Sequence, residues 1–111
     1  CQTLSGSSFR TSAFTLEGTF RLLSGEPKEY IKVGESGAKR PQSFCPQCGT
    51  PIYSTTVGTK PKVHAVRVGT IRQRAELVPV LQVWTRSELP WLHDISVYPK
   101  LEKQGDLLQG E

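Results

Sequence analysis

The sequence predicts a mainly β fold of short antiparallel strands with little helix, and three observations carry that expectation. Polar and apolar residues alternate with period two in several short runs, most clearly from Lys28 to Val33. Turn signals built from Gly, Pro and Ser recur roughly every eight to twelve residues. Helix is a minor component: Thr85 to Trp91 reads as a turn or one short helical turn that Pro90 keeps short, and the polar tail from Lys100 reads as helical or loosely attached. With 111 residues the chain is expected to form a single domain, 1–111. A chain of this size buries about two-thirds of its unfolded surface, enough for a modest core.

The elements follow in order. Ser5-Gly6-Ser7-Ser8 reads as a turn, and Phe9 to Leu16 alternates as a first strand before Glu17-Gly18. Thr19 to Ser24 is the second predicted strand, stopped by Gly25-Glu26-Pro27. Lys28 to Val33 is the third, with Lys28, Tyr30 and Lys32 on one face and Glu29, Ile31 and Val33 on the other. Its charges suit an edge or a wet face. Gly34 to Pro41 reads as a Gly- and charge-rich loop, and Ser43-Phe44 leads into a cysteine turn. Ile52 to Val57 leaves that turn as a β-rich run, and Val63 to Val68 alternates before Gly69-Thr70. Val80 to Trp84 is the last predicted strand, with Pro79 just ahead of it, where a missing donor is tolerated. Residues 100–111 form a polar tail in which Leu107 and Leu108 are the late apolar pair.

Composition narrows the function classes. No stretch approaches the roughly 20 apolar residues of a membrane span. Four Phe, three Tyr and two Trp, with many aliphatic residues, argue against disorder. Fourteen basic against ten acidic residues give a net charge of +4. The basic residues are scattered and interleaved with acidic ones, so they read as a solvated surface and not as a nucleic-acid stripe. Three cysteines do not suit a disulfide-stapled secreted domain, and a reducing cytoplasm fits better. The chain has no methionine and opens on Cys1, so it reads as a fragment or a processed chain, and the cysteine count must allow for residues upstream.

Phe44-Cys45-Pro46-Gln47-Cys48-Gly49-Thr50 is the sharpest local signal. Two thiolates at i and i+3 on a tight turn can both reach one tetrahedral Zn²⁺ at about 2.3 Å. Pro46 stiffens such a turn, and Gly49 permits the positive φ that closes it. The pair is half of a zinc ribbon. Two other readings stand beside zinc: a redox pair, which would want a helix opening after Cys48, and a plain pair of packed thiols. His64 and His93 read as hydrogen-bonded histidines, and Trp84 and Trp91 as core or rim packing. Ser5, Ser7 and Ser8 read as a turn that could also line a pocket.

Cys1-Gln2-Thr3-Leu4-Ser5-Gly6, the Cys45 to Pro51 turn, Val68-Gly69-Thr70 and Val83-Trp84-Thr85-Arg86-Ser87 with Pro90-Trp91 occur in an order that resembles the glutathione-dependent formaldehyde-activating enzyme family, which includes centromere protein V. The resemblance runs from Cys1 to about Pro99. It implies an all-β zinc fold of the β-tent type with two metal sites. On that match Cys45 and Cys48 supply half of a structural zinc site. Cys1 is the last cysteine of a three-cysteine catalytic cluster. The upstream pair of the first site and the other two cysteines of the second do not occur in this sequence.

Two functional readings stand, the first implied by the resemblance and the second by the zinc knuckle alone. One is a zinc-dependent carbon–sulfur lyase acting on a glutathione–aldehyde adduct, with glutathione as its small-molecule thiol. The other is a non-catalytic zinc-ribbon module whose β surface binds a protein or nucleic acid. Neither reading places the chain at a membrane, and both leave a homo-oligomer open.

Overall fold

The computed structural model describes residues 1–103, and the predicted tail beyond Lys103 lies outside the described residues. A short helix α1 (Gln2–Ser5) opens the chain, and five strands follow: β1 (Ser12–Phe14), β2 (Lys28–Val33), β3 (Lys39–Phe44), β4 (Pro51–Ser54) and β5 (Ala65–Arg67). They form one antiparallel sheet in the spatial order β1-β5-β4-β3-β2. Strands β2 to β5 run as a meander, and β1 closes the edge beyond β5. The mainly β expectation holds. No helix among the described residues is long and apolar enough to cross a membrane.

The β2–β3 hairpin is the best-formed part, and β2 has the bounds its alternation predicts. The segment Gly34 to Pro41 differs from the loop expected. Gly34 N–H donates to the Ala38 carbonyl at 2.9 Å and Gly37 N–H to the Gly34 carbonyl at 2.9 Å, with Gly37 at φ 84°. This tight reversal lets pairing resume at Lys39, opposite Val33, and continue to Phe44 opposite Lys28. Pro41 therefore sits inside a central strand. Its carbonyl accepts from Thr55 N–H at 3.2 Å, so its donor-less nitrogen faces the position just past the end of β4.

Two predicted strands are absent. Thr19 to Ser24 lies outside the sheet. Gly18 at φ 73° and the bonds from Thr19 N–H and Oγ1 to the Leu16 carbonyl turn the chain away. Phe20 is thereby laid over the sheet instead of being extended along it. Val80 to Trp84 is not a strand either, because β propensity is realised only through pairing and this segment meets no sheet edge among the described residues. Its Val80, Leu81 and Val83 are exposed. Three other predicted strands are real but shorter: Phe9 to Leu16 contracts to β1, Ile52 to Val57 becomes β4, and Val63 to Val68 contracts to β5. From Val68 onward the helical pieces are 3₁₀ turns at Val68–Thr70, Arg74–Glu76, Thr85–Ser87 and Pro90–Val97.

The sheet has two unlike faces. Cross-strand register puts Ser43, Tyr53, Val66 and Ala13 on one side. Phe20 and His64 join Tyr53 there: the Phe20 ring stacks on His64 at 4.2 Å and meets Tyr53 at 4.8 Å, and Tyr53 meets His64 edge-on at 5.1 Å. Tyr53 is the buried hydrophobic residue of this core. The opposite face carries Tyr30, Gln42, Ser54 and Ala65 in register, with Lys32 on β2 and Arg67 on β5 one alternation away. There Gln42, Ser54 and Arg67 are buried although polar.

Candidate functional site

The cysteine turn is the connection between β3 and β4. Cys45 N–H donates to the Thr50 carbonyl at 2.9 Å, and Gly49 N–H donates to the Cys45 carbonyl at 2.8 Å. Gly49 lies at φ 77°, the left-handed conformation that closes such a turn and that a side chain would oppose. A register shift between Ser43 and Phe44 accompanies the entry into the turn, setting Phe44 opposite Pro51. The turn leads into a strand and not a helix, which disfavours the thioredoxin-like redox reading.

Within the turn Cys48 Sγ lies 3.0 Å from Thr50 Oγ1, and the Cys45 thiol is its other neighbour. The Thr50 hydroxyl, then the Thr50 backbone and the Cys45 thiol, hold the Cys48 thiol below its ordinary proton affinity. Cys48 is exposed, Cys45 is partly covered, and neither is in a disulfide. Two free thiols at i and i+3 on a closed turn have the donor chemistry that zinc requires. They provide two of four ligands. Among the described residues no third Cys, His, Asp or Glu joins them.

Cys1 lies apart from that pair, at the start of α1. Ser5 Oγ donates to the Cys1 carbonyl at 2.6 Å and Ser7 N–H to Ser5 Oγ at 3.2 Å, and Gly6 at φ 67° ends the helix. Gln2 Nε2 donates to the Ser87 carbonyl at 2.9 Å, tying this end of the chain to the Thr85–Ser87 turn. An open cleft of about 720 Å³ runs alongside, lined by Gln2, Thr3, Ser7, Ser8, Leu89 and Trp91. Ser7 and Ser8 thus line a cleft as well as forming a turn, whereas the Ser5 hydroxyl is used locally.

The predicted packing role of the tryptophans needs correction. Trp91 borders the cleft and is 43% exposed, and Trp84 is 59% exposed with the Arg86 guanidinium carbon 5.1 Å from its ring centroid. Neither joins the aromatic cluster on Tyr53. His93 is held as expected, its Nε2 3.1 Å from Glu88 Oε1. His64 differs: it is stacked in the aromatic cluster, and its Nδ1 is buried without a hydrogen-bond partner among the described residues.

A group of residues on the polar face is not apparent from motifs. Arg67 Nη2 donates to Gln42 Oε1 at 2.9 Å, while its Nη1 donates to Ser12 Oγ at 2.9 Å and to the Ala65 carbonyl at 3.0 Å. Arg10 Nη1 donates to the same Gln42 oxygen at 3.2 Å. The one signal in the sequence is an arginine set among Ala65, Val66 and Val68 in a short strand, where an apolar residue is usual. The backbone nitrogen of Cys1 adjoins this cluster, within the field of Lys32 and Arg10.

The model of the glutathione-dependent formaldehyde-activating enzyme family matches residues 1–87, a span that contains all three cysteines, the complete sheet and the arginine cluster. No curated protein and no solved structure matches the chain. A match over most of the chain settles descent: this protein belongs to the glutathione-dependent formaldehyde-activating enzyme family.

Proposed function

We propose that this chain carries the β framework of a zinc-dependent carbon–sulfur lyase that makes or breaks S-hydroxymethylglutathione. The observation that supports the reading most directly is the closed Cys45–Cys48 turn, with its two neighbouring thiols, inside a chain of this family. In the forward direction the glutathione sulfur adds to the formaldehyde carbon. A carbon–sulfur bond forms, the carbonyl π bond opens, and the thiol proton ends on the former carbonyl oxygen. Cys45 and Cys48 would hold a structural zinc with two further ligands, and Cys1 would be a ligand of a second, catalytic zinc. A zinc held there by Cys1 and further ligands would supply Lewis acidity and lower the pKa of a substrate thiol from about 8.5. The chain's own contribution is to seat the thiol substrate in the open cleft along α1, where Gln2, Ser7 and Ser8 offer polar contacts and Leu89 and Trp91 an apolar wall. The exposed, unpaired thiols of Cys1 and Cys48 suit a reducing compartment such as the cytoplasm.

A second reading is a non-catalytic zinc module, for which the closed Cys45–Cys48 turn would supply half of the structural site and no second site would be needed. One experiment on the full-length protein separates the two. Zinc content is measured together with formaldehyde consumption in the presence and absence of glutathione. Consumption above the uncatalysed rate that disappears in Cys1→Ser is the expected result. Normal zinc content without acceleration selects the module. In the same preparation Cys45→Ser should lose one zinc per chain and melt at a markedly lower temperature, because structural zinc contributes on the order of 10 kcal/mol in small sites. An unchanged zinc content in Cys45→Ser would remove the knuckle from the metal inventory.

A further inference from the structure

The buried arginine of β5 has no counter-charge among the described residues. Arg67 is only 8% exposed, and the ion pairs among the described residues, Arg86–Glu35 and His93–Glu88, involve neither it nor Arg10. Removing a guanidinium from water is costly unless a partner compensates, and neutral hydrogen-bond acceptors compensate in part. Here the acceptors are an amide, a hydroxyl and a carbonyl. The cost is compounded by Arg10, whose own guanidinium reaches for the same Gln42 oxygen. Two like charges therefore converge on one neutral atom. Burial, followed by the field of Arg10, lowers the Arg67 pKa to about 10, which still leaves it cationic at neutral pH.

The rest of this face adds positive charge and no carboxylate in register. Lys32 and Arg40 are cross-strand partners on the same side of the sheet as Gln42. Lys32 and Arg10 are also the charges felt at Cys1. The cluster and the proposed catalytic cysteine are thus neighbours. A planar guanidinium pair with an unfilled demand for negative charge is matched best by a carboxylate, which can accept two parallel N–H bonds. Glutathione carries two carboxylates on the same molecule as its thiol.

We propose that Arg10 and Arg67, oriented by Gln42 and flanked by Lys32, form the subsite that binds a carboxylate of the thiol substrate beside Cys1. The proposal rests on the glutathione reading above. It makes the two arginines positioning residues: they locate the substrate, and its sulfur is thereby brought toward the cysteine site.

The test uses S-methylglutathione, whose blocked sulfur removes any metal–thiolate contribution, together with its diethyl ester, titrated calorimetrically into the full-length protein. The ester should bind at least tenfold more weakly than the acid. Arg10→Gln should weaken the acid at least tenfold, to the level of the ester, and leave the ester unchanged. Gln42→Glu places a carboxylate between the two guanidiniums, so it should reproduce the loss while raising Tm, which separates an occupied subsite from a damaged fold. Equal binding of acid and ester by the parent protein overturns the subsite and leaves the glutathione reading standing. So does undiminished binding of the acid by Arg10→Gln and Gln42→Glu. Failure of the parent protein to bind S-methylglutathione at all is a different result, and it overturns the glutathione reading and the subsite together.

Discussion

On one face of the sheet Tyr53, Phe20 and His64 pack ring against ring, while on the other Arg67, Gln42 and Ser54 are just as buried and wholly polar. The first face gains stability by removing apolar surface from water, a term that grows with area. The second loses solvation of a charge and recovers part of it through hydrogen bonds of about 1.5–3 kcal/mol each. A core with one buried hydrophobic residue among the described residues has little reason to keep such a face for stability alone. The contrast assigns folding to the aromatic side and recognition to the arginine side, and substitutions on each side can break that division.

The largest expected effect is Tyr53→Ala. Tyr53 is contacted by both other rings of the cluster and lies at the middle of the β3–β4–β5 pairing. Its truncation should cost about 3 kcal/mol, read from the shift of the denaturation midpoint. A loss under about 1 kcal/mol would mean that this face is not the folding core. Gln42→Ala on the other face should cost less, about 2 kcal/mol, because it strips Arg67 and Arg10 of their shared acceptor while Arg10, half-buried, can turn to water. If Gln42→Ala proved as damaging as Tyr53→Ala, the polar face would be structural after all.

How much of this was legible in the sequence depends on whether the signal was local. The β2 strand was readable to the residue because its alternation and its flanking turns agree. The cysteine turn was readable because Pro46 and Gly49 act within it. By contrast, β3 was obscured by Pro41, whose acceptability depends on where β4 ends, and that is information from another part of the chain. Thr19 to Ser24 and Val80 to Trp84 have β-forming composition, yet a strand exists only when an edge is free to receive it. Within the site, Cys1 and the Cys45–Cys48 pair were visible as residue types. The meeting of Arg10 with Arg67 on Gln42 was not, because a contact between residues 10, 42 and 67 leaves no periodic trace.

The smallest and most discriminating prediction concerns pH and the aromatic face. His64 is packed between Phe20 and Tyr53, and its Nδ1 is buried without a hydrogen-bond partner among the described residues. Burial, and then the charge of Lys62, push its proton affinity below the ordinary value of 6.5. The folded protein therefore binds fewer protons at this site than the unfolded chain does. By linkage, the contribution of neutral His64 is complete above about pH 6.5, declines as pH falls below that value, and levels off below the lowered folded-state pKa. His64→Phe keeps an aromatic ring in the stack but has nothing to protonate. Denaturation midpoints measured across this range should slope downward toward acid in the parent protein and be flatter in His64→Phe. Equal slopes would place the pH response elsewhere, and a steeper slope in the variant would mean that His64 is stabilised in its charged form, reversing the assignment of this face as the dry one.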